Sequence, residues 1–192
     1  MVNVNAVDEI KALSPYNWYT NEYFYKTIDN VENGGLWLEF GVATGRTINI
    51  IAQKAEGIVF GFDTFSGLPE DWGDHAVSGA YSQDGKPPQV AENVELVIGL
   101  FQDTLEKFLE KYPYPVAYIH IDCDLYSSTK YVLEKLESRI VSGTVISFDE
   151  IWNQPLCLDS EMKAWLEFVE KTGIKYKWIS RTEYEQASLI VL

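Results

Sequence analysis

An open, largely parallel α/β sheet is the fold class this sequence predicts, and three observations predict it. Short apolar runs alternate with stretches of helical periodicity along most of the chain. Several of those runs are continuously apolar, as expected of strands covered on both faces. Four of them, at 36–40, 57–62, 116–121 and 144–148, stop at a glycine-bearing turn or at an acid. Right-handed crossovers between parallel strands put all such ends on one edge, where open sheets bind ligands.

The first 35 residues read as an N-terminal helical arm or lid, and 36–192 as one domain. In the arm, Pro15 suits a first helical turn and Gly34-Gly35 stop the preceding helix. Between them lie Tyr16, Trp18, Tyr19, Tyr23, Phe24 and Tyr25, which suit packing on the sheet, a contact with a second copy in a homodimer, or the wall of a ligand pocket. The strand at 36–40 then runs into Gly41, Val42, Ala43, Thr44 and Gly45, and a helix opens with Ile48, Ile51, Ala52 and Ala55 on one stripe. This strand–turn–helix context is what a loop needs to hold a nucleotide-like ligand. Gly41 permits the tight turn, and Gly45 a close approach of helix to strand. Ala43 stands where a dinucleotide loop carries its middle glycine, which argues against a pyrophosphate. Glu39, just before the loop, also repels phosphate and suits a cationic ligand portion such as that of S-adenosylmethionine. Its alternative role is to cap backbone amides.

The next strand ends in Asp63, placed 22 residues after Gly41, the spacing at which an acid takes ribose hydroxyls. A turn cap is the competing role. Residues 64–91 form a long Gly-, Pro- and Asp-rich excursion, and its length suggests a functional lid. His75, a lone loop histidine in it, is a candidate base or an incidental residue. A strand at 93–99 precedes a helix with capping-box spacing at Asp103 and Glu106, ended by Pro113 and Pro115.

The central strand carries His120 and then delivers Asp122 and Asp124, with Cys123 between them as a small buried thiol. Ser127 or Ser128 is placed to cap the following helix, whose stripe is Val132, Leu133, Leu136 and Ile140. The strand at 144–148 ends in Asp149 and Glu150. If these strands are neighbours, at about 4.8 Å, up to four carboxylates crowd one edge and repel unless a cation or a shared proton relieves them. A loop at 152–155, a helix at 160–172 and a hairpin-like pair at 176–179 and 187–191 complete the chain.

Composition narrows the function classes. A formal net charge of −14 makes nucleic acid and anionic membrane surfaces unfavourable partners. The two cysteines have neither zinc-site spacing nor a disulfide pattern. No secretory signal is evident, and no apolar run approaches the ~20 residues of a membrane span. A soluble cytoplasmic protein is the expectation.

Four segments together resemble the macrocin O-methyltransferase (TylF-type) family of class I S-adenosylmethionine-dependent methyltransferases. They are residues 39–45, 61–72, 120–128 and 148–150, within a likeness covering roughly 36–150. The resemblance implies a Rossmann-like sandwich whose mostly parallel seven-stranded sheet has an antiparallel last strand. It implies S-adenosylmethionine held by Glu39, Gly41, Ala43, Thr44, Gly45, Asp63 and Asp122. It further implies Mg²⁺, with Mn²⁺ or Ca²⁺ as substitutes, on Asp122, Asp149 and Glu150. Asp124 is then the general base, with Asp122 assisting, and the acceptor a hydroxyl of a small molecule, often a sugar. The family commonly has two aspartates at 149–150, so Glu150 is a departure. His120 is a candidate substitute base, or a buried hydrogen-bonded histidine. Three rivals remain: a nicotinamide-dependent oxidoreductase using Asp63 for its ribose, a metal-dependent hydrolase using the acids, and a binding protein of the same fold without catalysis.

Overall fold

In the computed structural model, which describes residues 4–153 and 157–192, the sheet has eight strands. Of the loop expected at 152–155, Gln154 and Pro155 lie outside the described residues. The strands are β1 (Pro15–Tyr16), β2 (Leu36–Phe40), β3 (Val59–Asp63), β4 (Val94–Ile98), β5 (Val116–Ile121), β6 (Ile140–Phe148), β7 (Tyr176–Thr182) and β8 (Ala187–Val191). Their spatial order is β1-β7-β8-β6-β5-β2-β3-β4. All neighbours run parallel except β8, which is antiparallel to both β6 and β7. The Rossmann-like sandwich with a reversed last strand is thus present, with one strand more than expected. Pro15 opens no helix: with Tyr16 it pairs with Arg181 and Thr182 at the sheet edge, a position that tolerates a residue lacking an N–H.

Among the described residues, six helices cover the two faces: α1 (Val4–Lys11), α2 (Glu22–Ile28), α3 (Arg46–Ala52), α4 (Phe101–Lys111), α5 (Tyr126–Leu136) and α6 (Glu161–Thr172). Strand alternation decides which core each side chain joins. Leu36, Leu38 and Phe40 of β2, with Ile119 and Ile121 of β5, face α1, α4, α5 and α6. Trp37 and Tyr118 face the smaller layer of α2 and α3, where Tyr23, Phe24, Ile48 and Ile51 are buried. The close approach of α3 to the sheet is made at Gly61, where a side chain would meet Ile48 and Val42, and not at Gly45, where a Cβ would press on Pro88 at 3.0 Å.

Two helix starts differ from expectation. Leu100 is the N-cap of α4 and Leu125 that of α5, neither with a side-chain cap. Asp103 therefore sits inside the first turn, Ser127 donates to Glu70 of the excursion, and Ser128 is buried. Ile140 belongs to β6, since α5 ends earlier than its apolar stripe.

The arm is fastened by buried hydroxyls as well as apolar contact. The Tyr23 hydroxyl lies 2.9 Å from Ser147 Oγ and 2.5 Å from Ser188 Oγ, while Thr27 Oγ1 lies 2.6 Å from Ser180 Oγ. Burial raises the Tyr23 pKa, so the phenol stays neutral in this network. Replacing Tyr23 with Phe leaves the serines short of a partner, and we expect a loss of about 1–3 kcal/mol in unfolding free energy, measured by urea denaturation.

Candidate active site

The carboxyl ends of β2, β3, β4, β5 and β6 share one edge because those strands are parallel and in register. Gly41 leaves β2 with φ near +90°, and a Cβ there would overlap the Asp122 carbonyl oxygen. Only glycine permits this approach of the loop to the end of β5. Ala43 follows with φ near +44°, a left-handed conformation that a glycine would adopt more readily.

Asp63 holds the loop in place. Its Oδ2 accepts from the Val42 and Ala43 amides, both at 2.8 Å, and its Oδ1 from the Phe65 amide at 2.7 Å. The turn-capping role is therefore the one its contacts display, although Asp63 also lines the cavity beside the loop.

That cavity, of ≈250 Å³, is lined by Gly41, Ala43, Asp63, Thr64 and residues 100–102. Asp122, Cys123, Asp124, Ser128 and Glu150 also line it, and the excursion contributes Leu68, Pro69 and Tyr81. A second cavity, of ≈320 Å³, shares Ala43 and Asp122 as walls and adds Trp18, Tyr19, Thr44, Arg46, Thr47 and Asp149. Glu39 and Gly45 line neither. Glu39 is fully buried beneath the loop, where Oε1 accepts from the Thr47 hydroxyl and lies 3.3 Å from His120 Nδ1. His120 is equally buried, edge-on to Phe24, and lines neither of these cavities. His75 is exposed and stacks on Trp72.

The acids divide between two sides. Asp149 and Glu150 are consecutive at a strand end and point to different surroundings. Asp149 faces the second cavity and accepts from Gln186 Nε2 at 3.2 Å. Glu150 faces the first and bonds Asp124 through its side chain, while its amide donates to Glu161 Oε2 at 3.0 Å. Among the described acids, only Asp122 borders both. Among the described residues, the group of metal-ligating atoms gathered within 4.8 Å is Glu39, His120 and Asp122, so Asp149 and Glu150 do not join Asp122 in one such group.

Burial and mutual repulsion raise these carboxyls. Asp122 is pushed well up by burial and then by Asp149, Asp124 and Glu39. Burial moves Asp124 up to about 6, with Asp149 and Asp63 adding to it against the Glu150 bond. Glu150 is pushed up to about 12 by burial, Glu161 and Asp124. The folded state thus binds more protons than the unfolded chain, and stability falls as pH rises. For Asp124 the fall runs from its ordinary 3.8 to about 6, and the other acids extend it upward. We expect the protein in chelator to melt at a lower temperature at about pH 7.5 than at about pH 5.5, and a divalent cation to shrink that difference, by calorimetry.

Sequence reasoning did not reach Leu100, Phe101 and Gln102, Tyr81 or Arg46. The first three were legible in principle, because they follow the β4 end onto the ligand-bearing edge. Tyr81 was not, since its place depends on how the excursion folds back.

Among the described residues, no helix is long and apolar enough to cross a membrane. A comparison with curated proteins returns no match. Solved structures do match. The calicheamicin methyltransferase CalS11 superposes with a TM-score of 0.65 at 23% identity, over 90% of this chain and 77% of that one. The O-methyltransferase NovP gives 0.63 at 22% identity over the same shares. An O-methyltransferase from Bacillus cereus, in complex with SAH, gives 0.54 at 19% identity over 98% and 87%. At such identities the likeness speaks for the fold. The family model described as a methyltransferase domain matches residues 38–151, from β2 through the acids after β6. The chain belongs to that methyltransferase domain family.

Proposed function

We propose that the protein is an S-adenosylmethionine-dependent O-methyltransferase of the macrocin (TylF) type, acting on a hydroxyl of a small molecule, with a sugar or glycosylated metabolite as the favoured class. Residues 36–192 form the catalytic domain and 1–35 an arm that serves it. The observation that carries this reading is a single cavity lined by the glycine loop, Asp63 and Leu100–Gln102 together with Asp122, Asp124 and Glu150.

The residues present fit the cofactor. Four acidic side chains and, among the described residues, no cation line the first cavity; such raised carboxyls ionise more readily beside a sulfonium and gain nothing from a phosphate-bearing dinucleotide. This and the family match weigh against the nicotinamide alternative. The cofactor supplies an activated methyl group when bound. Asp63 would act on it chiefly through the loop, by keeping the Val42 and Ala43 amides turned inward.

An oxygen-preferring divalent ion also fits, because crowded carboxyls gain from a cation. Asp122 and Asp149, both facing the second cavity, would hold it, and Mg²⁺ would acidify the acceptor hydroxyl. Glu150 is drawn away to Asp124 and Glu161, so we assign it to the support of Asp124 rather than to direct coordination. Asp124 takes the acceptor proton. Its rise to about 6 makes it a better base than an ordinary aspartate while leaving it largely ionised at neutral pH. CalS11 is described as a TDP-rhamnose 3′-O-methyltransferase, and that description supports a sugar acceptor here.

Two variants separate the roles. Asp124→Asn should lower turnover by about 10²–10⁴-fold with S-adenosylmethionine affinity kept, the usual scale for a lost general base. Asp63→Ala should instead weaken cofactor binding in calorimetry, by freeing the loop. Full turnover by Asp124→Asn on a proven acceptor would overturn the assignment, and ligand binding without turnover across a broad panel of alcohols would point to the non-catalytic reading.

A further inference from the structure

We propose, on the S-adenosylmethionine reading above, that Arg46 binds the α-carboxylate of the cofactor's methionine portion, so that the N-terminal arm is part of the cofactor site. The two cavities share Ala43 and Asp122 as walls, so one extended ligand can cross from the first into the second. Their charges match the ligand end to end. Asp63, Asp122, Asp124 and Glu150 face the first cavity, and Asp122 and Asp149 face the second. Among the described residues lining either, Arg46 is the one cation. S-adenosylmethionine carries a sulfonium and an ammonium, which the acids favour, and one carboxylate, which they repel. In a chain of net charge −14, Arg46 is, among the described residues lining these cavities, the side chain whose charge favours that carboxylate.

Three donors that could compete for a carboxylate here are already engaged. The Val42 and Ala43 amides are held by Asp63, and the Thr47 hydroxyl by Glu39. Arg46 is different. Only Nη2 contacts protein acceptors, Asn21 Oδ1 at 3.2 Å and the Trp18 carbonyl at 3.5 Å, leaving other N–H groups of the planar fork for a bidentate carboxylate. Its guanidinium lies 4.8 Å from the Trp18 ring centroid, and Trp18 packs on Phe24 at 5.2 Å. The arm thereby fixes the cation at the cavity rim. Arg46 also acts on Asp149 across that cavity, lowering its carboxyl against the effect of burial.

The competing role for Arg46 is a plain staple between arm and α3, and a pair of ligands separates the two. S-adenosylhomocysteine and 5′-methylthioadenosine share the nucleoside and the thioether, but the second lacks the amino-acid portion. Calorimetric titration of both into the full chain is the experiment. Arg46→Ala should weaken S-adenosylhomocysteine by about ten-fold or more and leave methylthioadenosine unchanged, with Arg46→Lys recovering part of the loss. Trp18→Ala should show the same selectivity more weakly. Methylthioadenosine binding serves as the folding control for each variant. Unchanged S-adenosylhomocysteine affinity in Arg46→Ala, or equal losses on both ligands, would overturn the proposal alone. Failure of the wild-type chain to bind either ligand would overturn the cofactor reading beneath it.

Discussion

The constraint on which this structure turns is electrostatic: carboxylates are packed at one sheet edge more densely than a dry interior tolerates. Asp122, Asp124, Asp149, Glu150 and Glu161 all have raised pKa values, with burial as the first cause and other acids among the raising ones for most of them. An apolar filling would serve a passive core better, because unpaired buried charge is strongly destabilising. The strain is tolerable where positive charge arrives with a ligand. A chain that bore this arrangement without using it would give up stability for no return, so the edge itself argues for a cationic donor, a divalent ion, or both.

Backbone geometry, more than side-chain choice, sets how the acids are shared. Parallel pairing of β2, β5 and β6 brings three strand ends level, and Gly41 lets the loop press against the Asp122 carbonyl. Asp122 is therefore hemmed in by backbone on one side and opens onto both cavities. Beyond it the chain turns sharply, with Asp124 at φ near +60°. A non-glycine residue there carries strain of order 1 kcal/mol or more, held only because the surroundings impose it. The turn swings Asp124 toward Glu150, away from Asp149. Asp122 and Asp149 thereby share one cavity, and Asp124 and Glu150 the other.

Much of this was legible in the sequence, for reasons that lie in its strands. Continuous apolar runs ending in acids located the edge, since strands covered on both faces must be apolar and their ends need not be. The reversed last strand came from the family resemblance and is found in β8. What pattern alone missed was set by tertiary contact. Pro15 pairs in the sheet because β7 offers a free edge, and Ser127 turns to Glu70 rather than capping α5. The divergence of Asp149 and Glu150 follows from strand alternation and was readable in advance. That Glu150 would meet Asp124 and Glu161 was not, because it needs the position of α6.

Asp63 and Arg46 show how differently site residues stand in a sequence, one marked by its spacing and the other unmarked. Spacing singled out Asp63, yet all its observed bonds go to backbone amides of its own loops. By occupying those amides it removes two of the donors that a carboxylate would otherwise meet at a glycine loop. On the proposed reading the anion is met instead by a side chain, and Arg46 is, among the described residues, the cation lining the second cavity. Nothing in the spacing of Gly41 and Gly45 singles out position 46. The need for a cation there appears only once the amides are counted as spent, and the same step gives the aromatic arm, through Trp18, a reason to be aromatic.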